Sequence, residues 1–101
     1  MVNRLKIAQE FANAIYSEDI EEIILFGSVA RGDDNSDSDI DILIISDNEL
    51  KIEPKISDEV FNIIKEYREL VSAHVMSKKH FNETKNYPFL KNVIHEGVIL
   101  A

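Results

Sequence analysis

The chain has 101 residues, with 19 Asp plus Glu against 11 Lys plus Arg, a formal charge of −8 and no cysteine. That length reads as one domain, residues 1–101, able to bury a core without staples, and the absence of cysteine excludes disulfide scaffolds, thiolate metal sites and cysteine nucleophiles. The acidity excludes long nucleic acid as the main ligand, and apolar runs far below the roughly 20 residues of a membrane span, with no apolar leader in Met1–Glu10, point to the cytoplasm.

Leu5, Ala8, Phe11, Ala12, Ile15 and Tyr16 recur at helical spacing and predict a helix over 3–17. Ile23-Ile24-Leu25-Phe26 is too short for a helix and reads as a buried strand, ended by Gly27-Ser28. A turn, a short helix from about Ser28 and a loop follow. Asp39-Ile40-Asp41-Ile42 alternates acid and apolar before Leu43-Ile44-Ile45, which predicts a second strand. Ser57-Asp58 reads as an N-cap, and Val60, Phe61, Ile64, Tyr67 and Leu70 place a long helix over about 58–70. Val71–Met76 changes to period two and predicts a third strand. Ser77 caps a short helix over 78–84. A last helix starts at Tyr87-Pro88, turns Leu90, Val93 and Ile94 inward, and stops at Gly97. The order describes an α/β (α+β) domain with a small sheet of three or four strands flanked by helices.

Residues 27–41 hold two of the three glycines and five carboxylates. Gly27 and Gly32 have P-loop spacing, but Asp33 and Asp34 stand where a P-loop needs Lys and a hydroxyl, so that reading fails. Asp33, Asn35 and Asp37 imitate an EF-hand, but Ser38 and Ile44 occupy its Gly and Glu positions. Asp39 and Asp41 are different. Residues two apart on a strand face the same way, and two carboxylates side by side repel unless a cation lies between them, which suits one or two Mg²⁺ ions. Upstream, a strand that ends in Gly27-Ser28 and opens into a helix offers backbone N–H groups and a hydroxyl to a phosphate. Arg31 adds a fixed positive fork. Phosphate cradle and metal clamp on adjacent strand ends are what nucleotidyl transfer requires.

Gly27-Ser28, ten residues, then Asp39-Ile40-Asp41 resembles the signature of the DNA polymerase β-like nucleotidyltransferase superfamily. The fuller string Leu25-Phe26-Gly27-Ser28-Val29-Ala30-Arg31-Gly32, with Ser38-Asp39-Ile40-Asp41-Ile42-Leu43, resembles its minimal nucleotidyltransferases, over most of the chain to Pro88-Phe89-Leu90 and Glu96-Gly97. The resemblance implies Mg²⁺ held by Asp39 and Asp41, with Gly27 and Ser28 on the β- and γ-phosphates of a nucleoside triphosphate such as ATP. It implies in-line attack by an acceptor hydroxyl on the α-phosphate, with release of pyrophosphate. It also implies a HEPN-domain partner protein, with the chain as antitoxin transferring AMP to it. A binding module of the same fold that masks its partner is the alternative. Self-association is left open.

The superfamily carries a third carboxylate on the next strand, which here reads Val71-Ser72-Ala73-His74-Val75-Met76 without an acid. Glu69 just before it, Ser72 or His74 stands at that position. Asp33, Asp34 and Asp37 read as solvated loop charges, His80 and His95 lack ligand spacing, and Phe11, Phe61 and Tyr67 read as core.

Overall fold

A computed structural model describes residues 3–101. The elements are α1 (Arg4–Ile15), β1 (Glu22–Phe26), α2 (Gly27–Arg31), β2 (Ile40–Ile45), α3 (Glu49–Tyr67), β3 (Val71–Met76), α4 (Lys78–Thr84), α5 (Pro88–Glu96) and β4 (Val98–Ile99). The strands form one mixed sheet in the order β3-β2-β1-β4. β1 runs antiparallel to β2 and β4, and β2 runs parallel to β3 across the α3 crossover.

Period-two alternation sorts the strand residues onto two faces. Ile23 and Leu25 of β1 and Ile40, Ile42 and Ile44 of β2 pack with Ile7, Ala8, Phe11, Ala12 and Ile15 of α1 and Ile52, Ile56 and Ile63 of α3. On the other face, Ile24, Leu43 and Ile45 pack with Leu90 and Val93 of α5. The central strands are covered on both sides, which is why they read as continuous apolar runs. Asn3 caps α1 by accepting from the Lys6 N–H at 3.1 Å, and Ser77 caps α4 by accepting from the His80 N–H at 3.1 Å. No helix of the described residues is long and apolar enough to cross a membrane.

Two expectations need correction. The long helix begins at Glu49, not near Asp58, and passes through Pro54, so Ser57 and Asp58 are mid-helix residues rather than a cap. Proline removes one i→i−4 hydrogen bond, a loss that the packing of Ile52 and Ile56 on either side of it outweighs. The longer helix is also turned differently: Ile63 is buried, whereas Phe61 and Ile64 are exposed. The same correction applies at α5, where Leu90 and Val93 point inward but Ile94 is exposed. Helix α5 stops at Gly97, which has ordinary extended backbone. A Cβ there would overlap the Val93 carbonyl of α5 itself and lie 2.7 Å from Ile24 Cγ2 and 3.2 Å from the Leu25 carbonyl, so the helix end and its close packing on β1 together require the glycine.

Candidate functional site

The site lies where β1 ends and β2 and β3 begin, on the α5 face of the sheet. The register sets Phe26 opposite Asp41 and Asp41 opposite Ser72. One residue past Phe26, the chain turns into α2 through Gly27 at φ +75°. A Cβ at this position would stand 3.2 Å from the Asp41 carboxyl carbon and closer still to Oδ2. Glycine is therefore required twice, for the left-handed backbone and for the approach of the carboxylate. No side chain caps the start of α2, so its first-turn N–H groups, with the Ser28 hydroxyl beside them, have no intrahelical acceptor. The helix closes at Gly32, whose N–H donates to the Ser28 carbonyl at 2.9 Å.

Asp41 is half-buried, and its carboxyl is held above the usual carboxylate range. Burial is the main cause and the negative charge of Asp39 the second, while His74 and Arg31 pull the other way. Asp39 thus lies close enough for its charge to oppose ionisation of Asp41. Two hard anionic oxygen donors beside an open glycine turn fit a Mg²⁺-type cation, which keeps several waters and takes phosphate oxygens as further ligands. Among the described residues, no three His, Cys, Asp or Glu side chains come together as a metal site.

Glu69 does not fill the third position. Its carboxylate accepts from Arg4 Nε at 2.9 Å and Nη2 at 3.4 Å. The same guanidinium donates to Asp34 at 2.9 Å and to the carbonyls of Asn35 and Ser36. Asp34 is therefore an ion-pair partner, not a free loop charge. Ser72 stands next to Asp41, and its Oγ lies 3.4 Å from His74 Nε2. His74 and Asp41 share the face, and the Phe26 ring lies 6.1 Å from the imidazole.

Arg31 pairs with Asp33 at 3.2 Å and with Glu96 at 3.3 Å across to α5. Beside it opens a cleft of about 330 Å³, lined by Phe26, Gly27, Arg31, Phe89, Asn92, Val93 and Glu96. Sequence reasoning passed over the α5 side of this cleft. The signal was present, since Phe89, Asn92 and Glu96 recur at i, i+3 and i+7 on one side of the last helix. Arg4 left no comparable signal, because its partners lie in two remote segments.

Residues 5–101 match the family model described as the nucleotidyltransferase domain. A protein of Methanocaldococcus jannaschii named "Putative protein adenylyltransferase" is 39% identical over 102 residues, spanning 98% of this chain and 99% of that one. A structure from Sulfolobus solfataricus, described as a "putative nucleotidyltransferase", superposes with a TM-score of 0.60 at 23% identity, covering 96% of this chain and 81% of that one. A structure described as a toxin-antitoxin with AMP-PNP superposes with a TM-score of 0.58 at 19% identity, covering 99% of this chain and 73% of the matched one. At these identities the two superpositions establish the fold.

Proposed function

The chain belongs to the nucleotidyltransferase domain family, and on that premise we propose that it transfers AMP from ATP to a hydroxyl of a partner protein, as the antitoxin of a HEPN-domain toxin. The observation that carries this reading is the close approach of Gly27 to Asp41, which supports a glycine-serine turn working together with that carboxylate. The adenylyltransferase name of the 39% identical relative supports AMP as the group transferred, and the fold shared with a toxin-antitoxin structure supports the partner class.

In this reading Asp39 and Asp41 would hold Mg²⁺, which would supply positive charge against the triphosphate and lower the pKa of the acceptor hydroxyl. The Gly27 and Ser28 N–H groups and the Ser28 hydroxyl bind the terminal phosphates, which fixes the pyrophosphate as leaving group in line with the acceptor. The acceptor oxygen forms the new bond to the α-phosphorus as the bond to pyrophosphate breaks. The acceptor approaches from the β3 side, where the His74 imidazole is the side chain placed to take its proton.

The test is incubation with Mg²⁺, α-labelled ATP and a lysate of the source organism, beside an Asp39→Ala/Asp41→Ala control. A labelled protein band that needs both carboxylates is the expected result. Its absence, with folded protein and intact ATP, counts against transfer. A second reading rests on the pairing of Asp41 with Ser72 and of Glu69 with Arg4, which leaves two carboxylates rather than three. On that reading the chain neutralises its partner by masking it, and the double variant still suppresses the partner.

A further inference from the structure

We propose that the cleft between α2 and α5 is a purine subsite, in which Phe89 stacks on the base and Asn92 hydrogen-bonds its polar edge. This inference rests on the nucleotide-binding reading of Gly27 and Asp41 and extends it to the far end of the nucleotide. Gly27 forms part of the cleft wall and also touches Asp41, so a molecule with phosphates at the glycine turn reaches the cleft without crossing the sheet. The strand order β3-β2-β1 puts Ser72 and His74 across Asp41 from β1, and the Phe26 ring stands between His74 and Phe89, so the acceptor side and the cleft adjoin at Phe26.

The lining suits the uncharged end of a nucleotide. The Phe89 ring packs at 89° to Phe26, with centroids 5.6 Å apart, which fixes its orientation while 54% of the residue stays exposed. Val93 supplies an apolar floor, and Asn92, one turn from Phe89, offers an amide with both donors and an acceptor. At the outer end, Arg31 is already matched by Glu96 and Asp33. A phosphate there would be repelled by the two carboxylates, whereas an uncharged base and ribose would not be. The volume of about 330 Å³ is at the small end of small-molecule sites and large enough for a purine.

Calorimetric titration with Mg²⁺ tests this with three probes, ATP, CTP and inorganic tripolyphosphate. The native chain should bind ATP more tightly than the other two. Phe89→Ala should weaken ATP binding roughly tenfold and Asn92→Ala about fivefold, typical of losing one stacking or edge contact. Both variants should bind tripolyphosphate as the native chain does, and Phe89→Trp should restore ATP. Unchanged ATP affinity in both alanine variants overturns the subsite while leaving the function intact. Equal binding of ATP and CTP overturns the purine assignment. If the folded native chain binds neither ATP nor tripolyphosphate, the nucleotide reading itself falls, and this inference with it.

Discussion

Arg4 and Glu69, 65 residues apart, are joined by a 2.9 Å ion pair whose side chains are only 11% and 15% exposed. The pair anchors the loop before β2, because the same guanidinium holds Asp34 and the Asn35 and Ser36 carbonyls, and those residues lead into Asp39. Arg4→Ala leaves a shielded carboxylate and two carbonyls without their donor. The expected cost is about 1–2 kcal/mol, read as a lower urea midpoint. Lysine should not rescue it, since one ammonium cannot reproduce three directed donors. If Asp39 depends on this anchor, Mn²⁺ titrated into the variant and followed by electron paramagnetic resonance will bind several-fold more weakly.

Gly27 and Gly32 both have positive φ, at +75° and +82°, yet alanine should affect them differently. At Gly32 a Cβ meets nothing within 4 Å, so only the left-handed backbone opposes it, at about 1 kcal/mol. Gly32→Ala is expected to keep nucleotide binding. At Gly27 the Cβ overlaps the Asp41 carboxylate as well. Gly27→Ala should lose about 2–3 kcal/mol of stability and most Mg²⁺-dependent ATP binding, because the methyl displaces the carboxylate to which the proposed function assigns the metal. Equal effects of the two substitutions on ATP binding would refute the role given to the Gly27–Asp41 contact.

What was legible in the sequence follows from where the information is local. The run from Leu25 to Gly32 and the alternation from Asp39 to Ile42 carry strand, turn and chemistry in adjacent residues, and β1, α2 and β2 form where that pattern places them. The start of α3 was hidden by Pro54, which argues locally for a break, whereas burial of Ile52 and Ile56 against α1 and the sheet decides for helix. Missing those two residues also misaligned the helix face, which is why Phe61 and Ile64 were read as inward. The engagement of Glu69 by Arg4 was illegible for a different reason. A charge pairing between residues 4 and 69 depends on how the N-terminus of α1 meets the start of β3, and no spacing rule encodes that.

The acid side of the stability curve should report the burial of the Asp41 carboxylate and, second, its repulsion by Asp39. Asp41 has its carboxyl raised in the folded chain, so its ionised form is disfavoured relative to the unfolded state. In EDTA, its contribution opposes folding at neutral pH. That opposition is relieved as pH falls through the raised folded value toward the ordinary carboxylate value. Asp41→Asn removes it. The metal-free variant should therefore unfold at or above the native midpoint at pH 7 and lack the native chain's relief on mild acidification, while losing Mg²⁺-dependent ATP binding. A variant much less stable than the native chain in EDTA would show that Asp41 is held there by favourable contacts, not by function.

The register makes Ser72 the position to test for a third carboxylate. Ser72 faces Asp41 from the adjacent parallel strand, on the same side of the sheet, and is only partly buried. An aspartate there would bring three acidic side chains together at the ends of β2 and β3, completing the donor set that two carboxylates leave to water. Without metal, Ser72→Asp adds repulsion and should lower the thermal midpoint by a few degrees in EDTA. With Mg²⁺ or Mn²⁺ the order should reverse, because the cation binds the variant more tightly and stabilises it in proportion. Glu69→Gln is the control, since that side chain belongs to Arg4. It should weaken the anchor without altering the number of metal ions bound. If Ser72→Asp gains no metal affinity, the second cation is not held between β2 and β3, and the weight moves to the masking reading.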